Sequence, residues 1–210
     1  NKSGAYAEIS QFGAILVKLC VPDREGKLTD VVLGYDDLAG YEVNGCFFGA
    51  TIGRSGNRIA DSRFALDGQE ITLTPNEGKN NLHSGPNGFE KKIWNAAEIS
   101  EDKNAVMFSR ISPDGENGFP GEFQVSVTYE MTENNELRIV YGGVCDKTTV
   151  ANMTNHSYFN LDGDAASNAD HLLMVDADYY TPVDSTFMTT GEIVPVEGTP
   201  MDFRTPTPVG

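Results

Sequence analysis

The chain has 210 residues, of which 39% are hydrophobic and 22% charged, a composition typical of a soluble globular protein rather than a disordered one. Its formal net charge is −16, with 31 acidic and 15 basic residues, which argues against binding to nucleic acid or to an anionic membrane surface. The cysteines Cys20, Cys46 and Cys145 form no CxxC pair, so they argue against a disulfide framework or a cysteine zinc site and favour a reducing, cytoplasmic location.

Alternation of apolar and polar residues predicts short β-strands along most of the chain. The strands are predicted at residues 14–21, 29–33, 63–66, 93–99, 105–111, 148–153 and 172–175. The clearest alternation runs from Phe123 to Met131, and after a turn at residues 133–136 it resumes at Leu137, Ile139 and Tyr141, which predicts a hairpin. No segment of a dozen residues has helical periodicity. The sequence therefore predicts an all-β fold, an antiparallel sandwich or barrel.

Two longer irregular stretches, residues 34–56 and 75–90, are rich in Gly, Asn and Pro, and long loops on a β scaffold are usual places for binding residues. The glycine-rich residues 49–59 lack the spacing and the following helix of a dinucleotide site. We therefore interpret Asn57 and Arg58 as polar groups held by a tight loop. Arg58 suits sugar hydroxyls or a developing oxyanion, and it suits a structural ion pair with a carboxylate equally well.

Two histidines far apart in the chain have polar neighbours. His156 stands in residues 154–161 among hydroxyls, amides and the ring of Tyr158, and His83 stands in the Asn- and Ser-containing residues 80–85. Histidine can donate or accept a proton near neutral pH because its unperturbed pKa is about 6.5. If the fold brings them together, they suit a site for a neutral, hydroxyl-rich ligand. The alternative for His83 is a loop histidine bonded to the backbone, and His171 is interpreted as structural or surface-exposed.

Other kinds of site find less support in the sequence. Two histidines and a carboxylate can bind a divalent ion, but there is no HxH or HExxH spacing to fix a third ligand, so we expect no metal. A Ser–His–Asp hydrolase is possible by residue type, but the chain has no GxSxG motif.

Several motifs in one order resemble the aldose 1-epimerase (galactose mutarotase) family, and the resemblance runs through nearly all of the chain. The motifs are residues 30–35, 53–59, 76–78 with 82–83, 154–161, 190–192 and 198–204. One departure is Ser84, which stands where a glycine is common in the family and which we expect to change little.

The resemblance implies a large antiparallel β-sandwich with a sugar cleft on one sheet. It implies interconversion of the α and β anomers of a free aldose, typically galactose or glucose, without a cofactor. Carried over by motif, His156 would be the general acid that protonates the ring oxygen, and His83 would bind and polarise near that oxygen. Asn57, Arg58 and Tyr158 would hold the sugar.

The resemblance also bears on the extent of the domain. We expect residues 1–210 to form a single domain that lacks its C-terminal part, because family sequences continue past the point corresponding to Gly210. The family's catalytic base, a glutamate, and a substrate-binding aspartate are expected in that later part. A polypeptide that truly ended at Gly210 is expected to be inactive and poorly folded, and Glu192 and Glu197 are not assigned as substitutes for the base.

Two alternatives stay open beside the epimerase. One is a non-catalytic carbohydrate-binding protein of the same fold, and the other is a hexose-6-phosphate 1-epimerase relative, which would need basic residues beyond Arg54 and Arg58 to hold a phosphate. The expected partner is a small aldose sugar, with no nucleic acid and no membrane. We expect a monomer or a homodimer.

Overall fold

The computed structural model of the protein describes residues 1–100, 104–163 and 167–210. Short strands dominate these residues. The strands are β1 (Tyr6–Ser10), β2 (Ile15–Pro22), β3 (Leu28–Asp30), β4 (Thr51–Ile52), β5 (Arg58–Ile59), β6 (Arg63–Leu66), β7 (Gln69–Thr72), β8 (Asn81–Leu82), β9 (Asn95–Ser100), β10 (Ala105–Ser112), β11 (Phe123–Met131), β12 (Leu137–Cys145), β13 (Thr154–Asn155), β14 (Leu172–Leu173), β15 (Tyr179–Tyr180), β16 (Val194–Pro195) and β17 (Thr207–Pro208). The helical elements are α1 (Leu38–Val43) and the 3₁₀ turns Ala60–Ser62, Phe89–Lys91 and Glu116–Gly118.

The chain divides into two compact units, Asn1–Phe159 and Asn160–Gly210, which are described separately. In the second unit, β14 pairs with β17 and β15 pairs with β16, all antiparallel. Within the described residues, no helix is long and apolar enough to cross a membrane. The expectation of a single domain lacking its C-terminal part stays a prediction.

The largest sheet of the first unit is antiparallel, with strand order β12-β11-β10-β9. The predicted hairpin is confirmed: β11 pairs with β12 along its whole length, from Phe123 opposite Cys145 to Met131 opposite Leu137. Because successive side chains of a strand point to opposite faces, the five apolar residues of β11 lie on one face, and all five are buried. The alternation in the sequence therefore fixes which face of this sheet meets the core.

The main core of the first unit contains residues from this sheet and from the three-stranded sheet β1-β2-β3. Its buried residues are Ala5, Ala14, Leu16, Leu19, Val31, Val32, Phe89, Trp94, Phe108, Phe123, Val125, Val127, Tyr129 and Met131. Trp94 is fully buried, its ring centroid lies 5.5 Å from that of Phe89, and its indole N–H donates to the Phe89 carbonyl at 3.2 Å. The sequence analysis did not predict β1, which completes one wall of this core.

The turn at Asp67 and Gly68 joins β6 to β7 as an antiparallel hairpin. Both residues have positive φ, 50° and 77°, which is the geometry of the two-residue turns that match the twist of paired strands. The turn signal in the sequence is confirmed here, because Asp tolerates and Gly favours this conformation.

The predicted strand at residues 148–153 is wrong. In the structure the pairing falls on β13, which lies antiparallel to β4, and Asn152 forms only an isolated bridge with Ser55. The reason is that the Asn152 N–H donates to the Arg54 carbonyl and its carbonyl accepts from Gly56, both at 2.8 Å, so these groups join the loop after β4 instead of a ladder.

Helix α1 lies in a stretch that the sequence analysis predicted to be irregular. It has six residues, and the Asp37 side chain caps it by accepting a hydrogen bond from the Gly40 N–H at 3.0 Å. A helix of fewer than two turns shows no periodicity in the sequence.

Candidate functional site

His83 and His156 meet in the first unit, with ring centroids 5.1 Å apart and the rings nearly perpendicular, at 84°. His83 directly follows β8, which pairs with β5, and His156 directly follows β13, which pairs with β4. Two short strand pairs thus bring together histidines that lie 73 positions apart in the sequence. The condition set by the sequence analysis is thus met in the structure, whereas the roles of the two histidines and the cleft on one sheet stay predictions.

The backbone of Asn57 fixes the hydrogen-bonding state of the His83 ring. The backbone N–H of Asn57 donates to Nδ1 of the His83 ring at 3.0 Å. The backbone N–H of His83 in turn donates to the Asn57 carbonyl at 2.9 Å. Burial first, and then the charges of His156 and Arg58, lower the pKa of His83 to about 4. At neutral pH the ring is therefore neutral, and because Nδ1 accepts, its hydrogen is on Nε2. His83 presents a fixed N–H donor from that atom.

Ser84 ties the His83 loop to the loop before β5. Its hydroxyl accepts from the Ser55 N–H at 2.7 Å and donates to the Ser55 carbonyl at 3.0 Å. Ser84 has a φ of 72°, in the left-handed region that favours glycine, and His83 beside it has a φ of 52°. The Ser84 side chain therefore joins the two loops that hold His83, and the expectation that this residue changes little stays a prediction.

Arg58 forms an ion pair with Glu77, with Nη2 of the arginine 2.7 Å from Oε1 of the glutamate. Its Nη1 also donates to the Asn57 side-chain oxygen at 3.3 Å. The hydrogen bond from Arg58 is the largest cause that lowers the pKa of Glu77. One of the two interpretations of Arg58 is thus confirmed, and the pairing holds the guanidinium in one orientation beside Asn57. Its contact with a sugar stays a prediction.

Aromatic rings line the histidines. The Tyr158 ring is 41% exposed and lies 5.3 Å from the His156 ring at an angle of 37°. Phe47 contacts both imidazoles, with its ring centroid 4.8 Å from His83 and 5.6 Å from His156. Sequence reasoning singled out Tyr158 and missed Phe47, whose only signal was its place in an irregular, glycine-containing stretch.

Arg54 is not part of the site, although it belongs to the same motif as Arg58. It is 1% exposed, and its guanidinium donates to carbonyls and hydroxyls of the surrounding loops. The acceptors are Ser112, Pro113, Pro120, Gly121 and Thr149. A guanidinium used in this way is not available to a phosphate.

His171 lies in the second unit, where its Nε2 is 3.0 Å from a carboxylate oxygen of Asp162. This agrees with its interpretation as a structural or surface residue. No group of three or more His, Cys, Asp or Glu side chains able to hold a metal ion occurs within residues 1–100, 104–163 and 167–210.

Glu90 is a buried carboxyl group behind the His83 loop. It is 3% exposed, and its Oε2 has no hydrogen-bond partner among the described residues. A β-carbon at Gly88 would collide with both this oxygen and the His83 carbonyl, so the carboxyl group and the His83 backbone flank the same glycine. Burial raises the pKa of Glu90 to about 7.

Replacing Glu90 by Gln is expected to stabilise the protein at alkaline pH. The folded-state pKa of about 7 lies above the unfolded value of 4.5, so the folded protein binds the proton more tightly, and stability is lost as pH rises from 4.5 through 7. A neutral amide removes that loss, which amounts to about 3 kcal/mol at full extent. Urea unfolding at pH 4.5 and pH 8 measures the difference.

Glu25→Gln, at an exposed position, is the matched control for this change. The titration of His83 is common to the natural protein and both variants, so it cancels in the comparison. If Glu90→Gln differed from the natural protein equally at both pH values, the titration of Glu90 would not be the cause.

Comparison with known proteins identifies the family to which the chain is similar. Residues 1–210 match the family model described as aldose 1-epimerase. The chain is 47% identical to galactose mutarotase of Homo sapiens and 39% identical to aldose 1-epimerase of Escherichia coli (strain K12). Each alignment covers 97% of this chain but only 58% of the relative.

Solved structures agree with the sequence comparison. The GalM/aldose epimerase homologue from C. elegans has a TM-score of 0.93 at 39% identity, covering 99% of this chain and 63% of that one. Galactose 1-epimerase from Lactobacillus acidophilus NCFM has a TM-score of 0.88 at 29% identity, covering 100% and 61%. The predicted all-β sandwich is confirmed by these likenesses.

Proposed function

This chain belongs to the aldose 1-epimerase family, and from that premise we propose that the protein interconverts the α and β anomers of a free hexose, galactose or glucose, by acid–base opening and closure of the ring. The observation that supports this most directly is the contact between His83 and His156 beside an exposed tyrosine and polar groups. The chain spans 58% of the length of its curated relatives, so the activity is proposed and not carried over from them.

The reaction needs one proton removed from the anomeric hydroxyl and one delivered to the ring oxygen. The ring then opens to an aldehyde, the C1–C2 bond rotates, and the ring closes on the other face. A positioned acid or base contributes about 10²–10⁴-fold to such a step. We assign the acid to His156, which donates its proton to the ring oxygen on opening and takes it back on closure.

His83 has a different role from His156. With a pKa of about 4 it carries no extra proton at neutral pH, so it does not act there as an imidazolium acid. Its Nε2–H, fixed by the bond from Asn57 to Nδ1, instead donates a hydrogen bond near the ring oxygen and polarises it. Asn57, Arg58 and Tyr158 hold the sugar, and the ion pair with Glu77 keeps Arg58 in place.

Glu77 is not proposed as the base. It is the carboxylate paired with Arg58, and the hydrogen bond from that guanidinium lowers its pKa, which makes it a weak proton acceptor. We assign the base to none of residues 1–210. No cofactor is part of the proposal.

Polarimetry of freshly dissolved α-D-galactose at neutral pH tests the proposal. The protein is expected to speed relaxation to the equilibrium rotation, and saturation-transfer NMR on the same sample reports whether the sugar binds. Binding without acceleration would support the carbohydrate-binding alternative, and neither binding nor acceleration would contradict both. Stronger inhibition by hexose 6-phosphate than by free hexose would favour the phosphate-specific relative, which the burial of Arg54 disfavours.

We further propose a cytoplasmic protein that is a monomer or a homodimer. The three cysteines are all free, as expected of a reducing compartment.

A further inference from the structure

Phe47 contacts both histidines, and the mechanism above gives it no role. Its ring meets His83 edge to face, at an interplanar angle of 75°, and lies tilted at 38° to His156. Phe47 is half-buried, so part of the residue stays exposed beside the imidazoles. The ring occupies space that water would otherwise share with both imidazoles.

The loop that carries Phe47 holds it firmly in this place. The side-chain amide of the buried Asn44 accepts from the Phe48 N–H at 2.8 Å and donates to the Phe48 carbonyl at 3.2 Å. The Ala50 N–H donates to the Phe47 carbonyl at 3.1 Å. These bonds keep Phe47 at a φ of 58°, a left-handed conformation that is unfavourable for a bulky side chain and persists only where the surroundings impose it.

We propose that Phe47 is a positioning residue of the histidine pair, whose ring fixes the two imidazoles relative to each other and excludes water from His83. Its effect on the two rings follows from geometry alone. Its effect on turnover rests on the proposed function, because the rate depends on His83 being a neutral donor and His156 being the acid.

Four charged or titratable groups of the described residues lie around His83. His156, Arg58 and Glu77 act on its charge, and the carboxyl group of Glu90 lies behind its backbone. Replacing Phe47 removes none of these groups. A rise in the pKa of His83 on that replacement therefore reports water reaching its ring, together with any displacement of His156 from its place 5.1 Å away.

The test is an NMR titration of the imidazole resonances of His83 in the natural protein, Phe47→Ala, Phe47→Leu and Phe47→Tyr. Loss of the ring in Phe47→Ala is expected to raise the pKa of His83 by about one unit or more towards its ordinary value, since burial is the largest cause of its depression. Phe47→Tyr keeps the ring and is expected to keep the low pKa. Phe47→Leu removes the ring but fills part of its space, so it is expected to raise the pKa of His83 by less than Phe47→Ala does, which keeps the test possible if the alanine variant does not fold.

Phe48→Ala is the matched control, because Phe48 is an equally half-buried neighbour whose ring contacts Tyr35 and Tyr158. It is expected to leave the pKa of His83 unchanged. If folded Phe47→Ala and Phe47→Leu kept the low pKa, or if Phe48→Ala raised it as much, the proposal would be overturned.

The pH profile of kcat/KM for mutarotation separates this proposal from the proposed function. With both correct, the acidic limb of the profile moves up with the pKa of His83 in Phe47→Ala and stays in place in Phe48→Ala. A shifted pKa in a protein without mutarotase activity would support the placement of Phe47 and contradict the epimerase.

Discussion

Replacing His156 by Gln is expected to lower kcat for galactose mutarotation about 10²–10⁴-fold, because the ring oxygen then lacks its proton donor. The backbone of residue 156 should stay in place, since its N–H donates to the Ala50 carbonyl and its carbonyl accepts from Gly49. A glutamine fills much of the space of the imidazole and retains a polar end. Sugar binding should therefore weaken much less than turnover, and polarimetry together with a sugar titration measures both.

His171→Gln is the control for this experiment. It removes a histidine that pairs with Asp162 in the second unit, so it is expected to leave both kcat and sugar binding unchanged. A His156→Gln protein with the natural kcat would remove His156 from the mechanism. If the natural protein, with His156 intact, bound the sugar but had no mutarotase activity, it would be a carbohydrate-binding protein of the same fold.

Replacing Arg54 by Met is expected to lower the free energy of unfolding by about 4 kcal/mol or more. The guanidinium donates to the carbonyls of Ser112, Pro120 and Gly121 at 2.8–3.0 Å, and each buried acceptor that loses its donor costs about 1–3 kcal/mol. Methionine has a similar length but offers no donor. Urea unfolding measures the loss, provided that the variant folds at low temperature.

Arg54→Lys separates the contribution of the positive charge from that of the planar fork of hydrogen-bond donors. Lysine keeps the charge but not the planar fork, so it satisfies fewer of the carbonyls, and its stability is expected to lie between those of the methionine variant and the natural protein. Arg63→Met, at a side chain that is 57% exposed, is expected to change stability by about 0.5 kcal/mol or less. If the methionine variants at Arg54 and Arg63 lost equal free energy of unfolding, the buried hydrogen bonds of Arg54 would contribute no more to stability than an exposed side chain does.

Local patterns predicted the longest strands well. In β11 the alternation of apolar and polar residues carries through nine residues, and the structure buries the predicted face. The pairing of β13 with β4, in contrast, involves two residues of each strand and depends on contacts about 100 positions apart in sequence. No local pattern records that contact, so the sequence analysis placed the strand a few residues too early.

In the site, too, some residues can be recognised from the sequence and others only from the structure. The histidines, Asn57 and Tyr158 were predicted because their side chains are of types that bind sugars or transfer protons. Phe47 and Ser84 matter through what they touch, a pair of imidazoles and the backbone of another loop. Arg54 and Arg58 are four positions apart and look alike in sequence, yet the first is enclosed by loops and the second lies beside Asn57.

The burial of Trp94 gives this protein a spectroscopic probe of its own. It is the single tryptophan of the sequence, so all indole fluorescence comes from one position from which water is excluded. Emission should shift to longer wavelength when the core of the first unit opens, and no label is needed to follow it. Because the indole N–H bonds the carbonyl of Phe89, the residue just before Glu90, the same emission should also respond when that carboxyl group titrates.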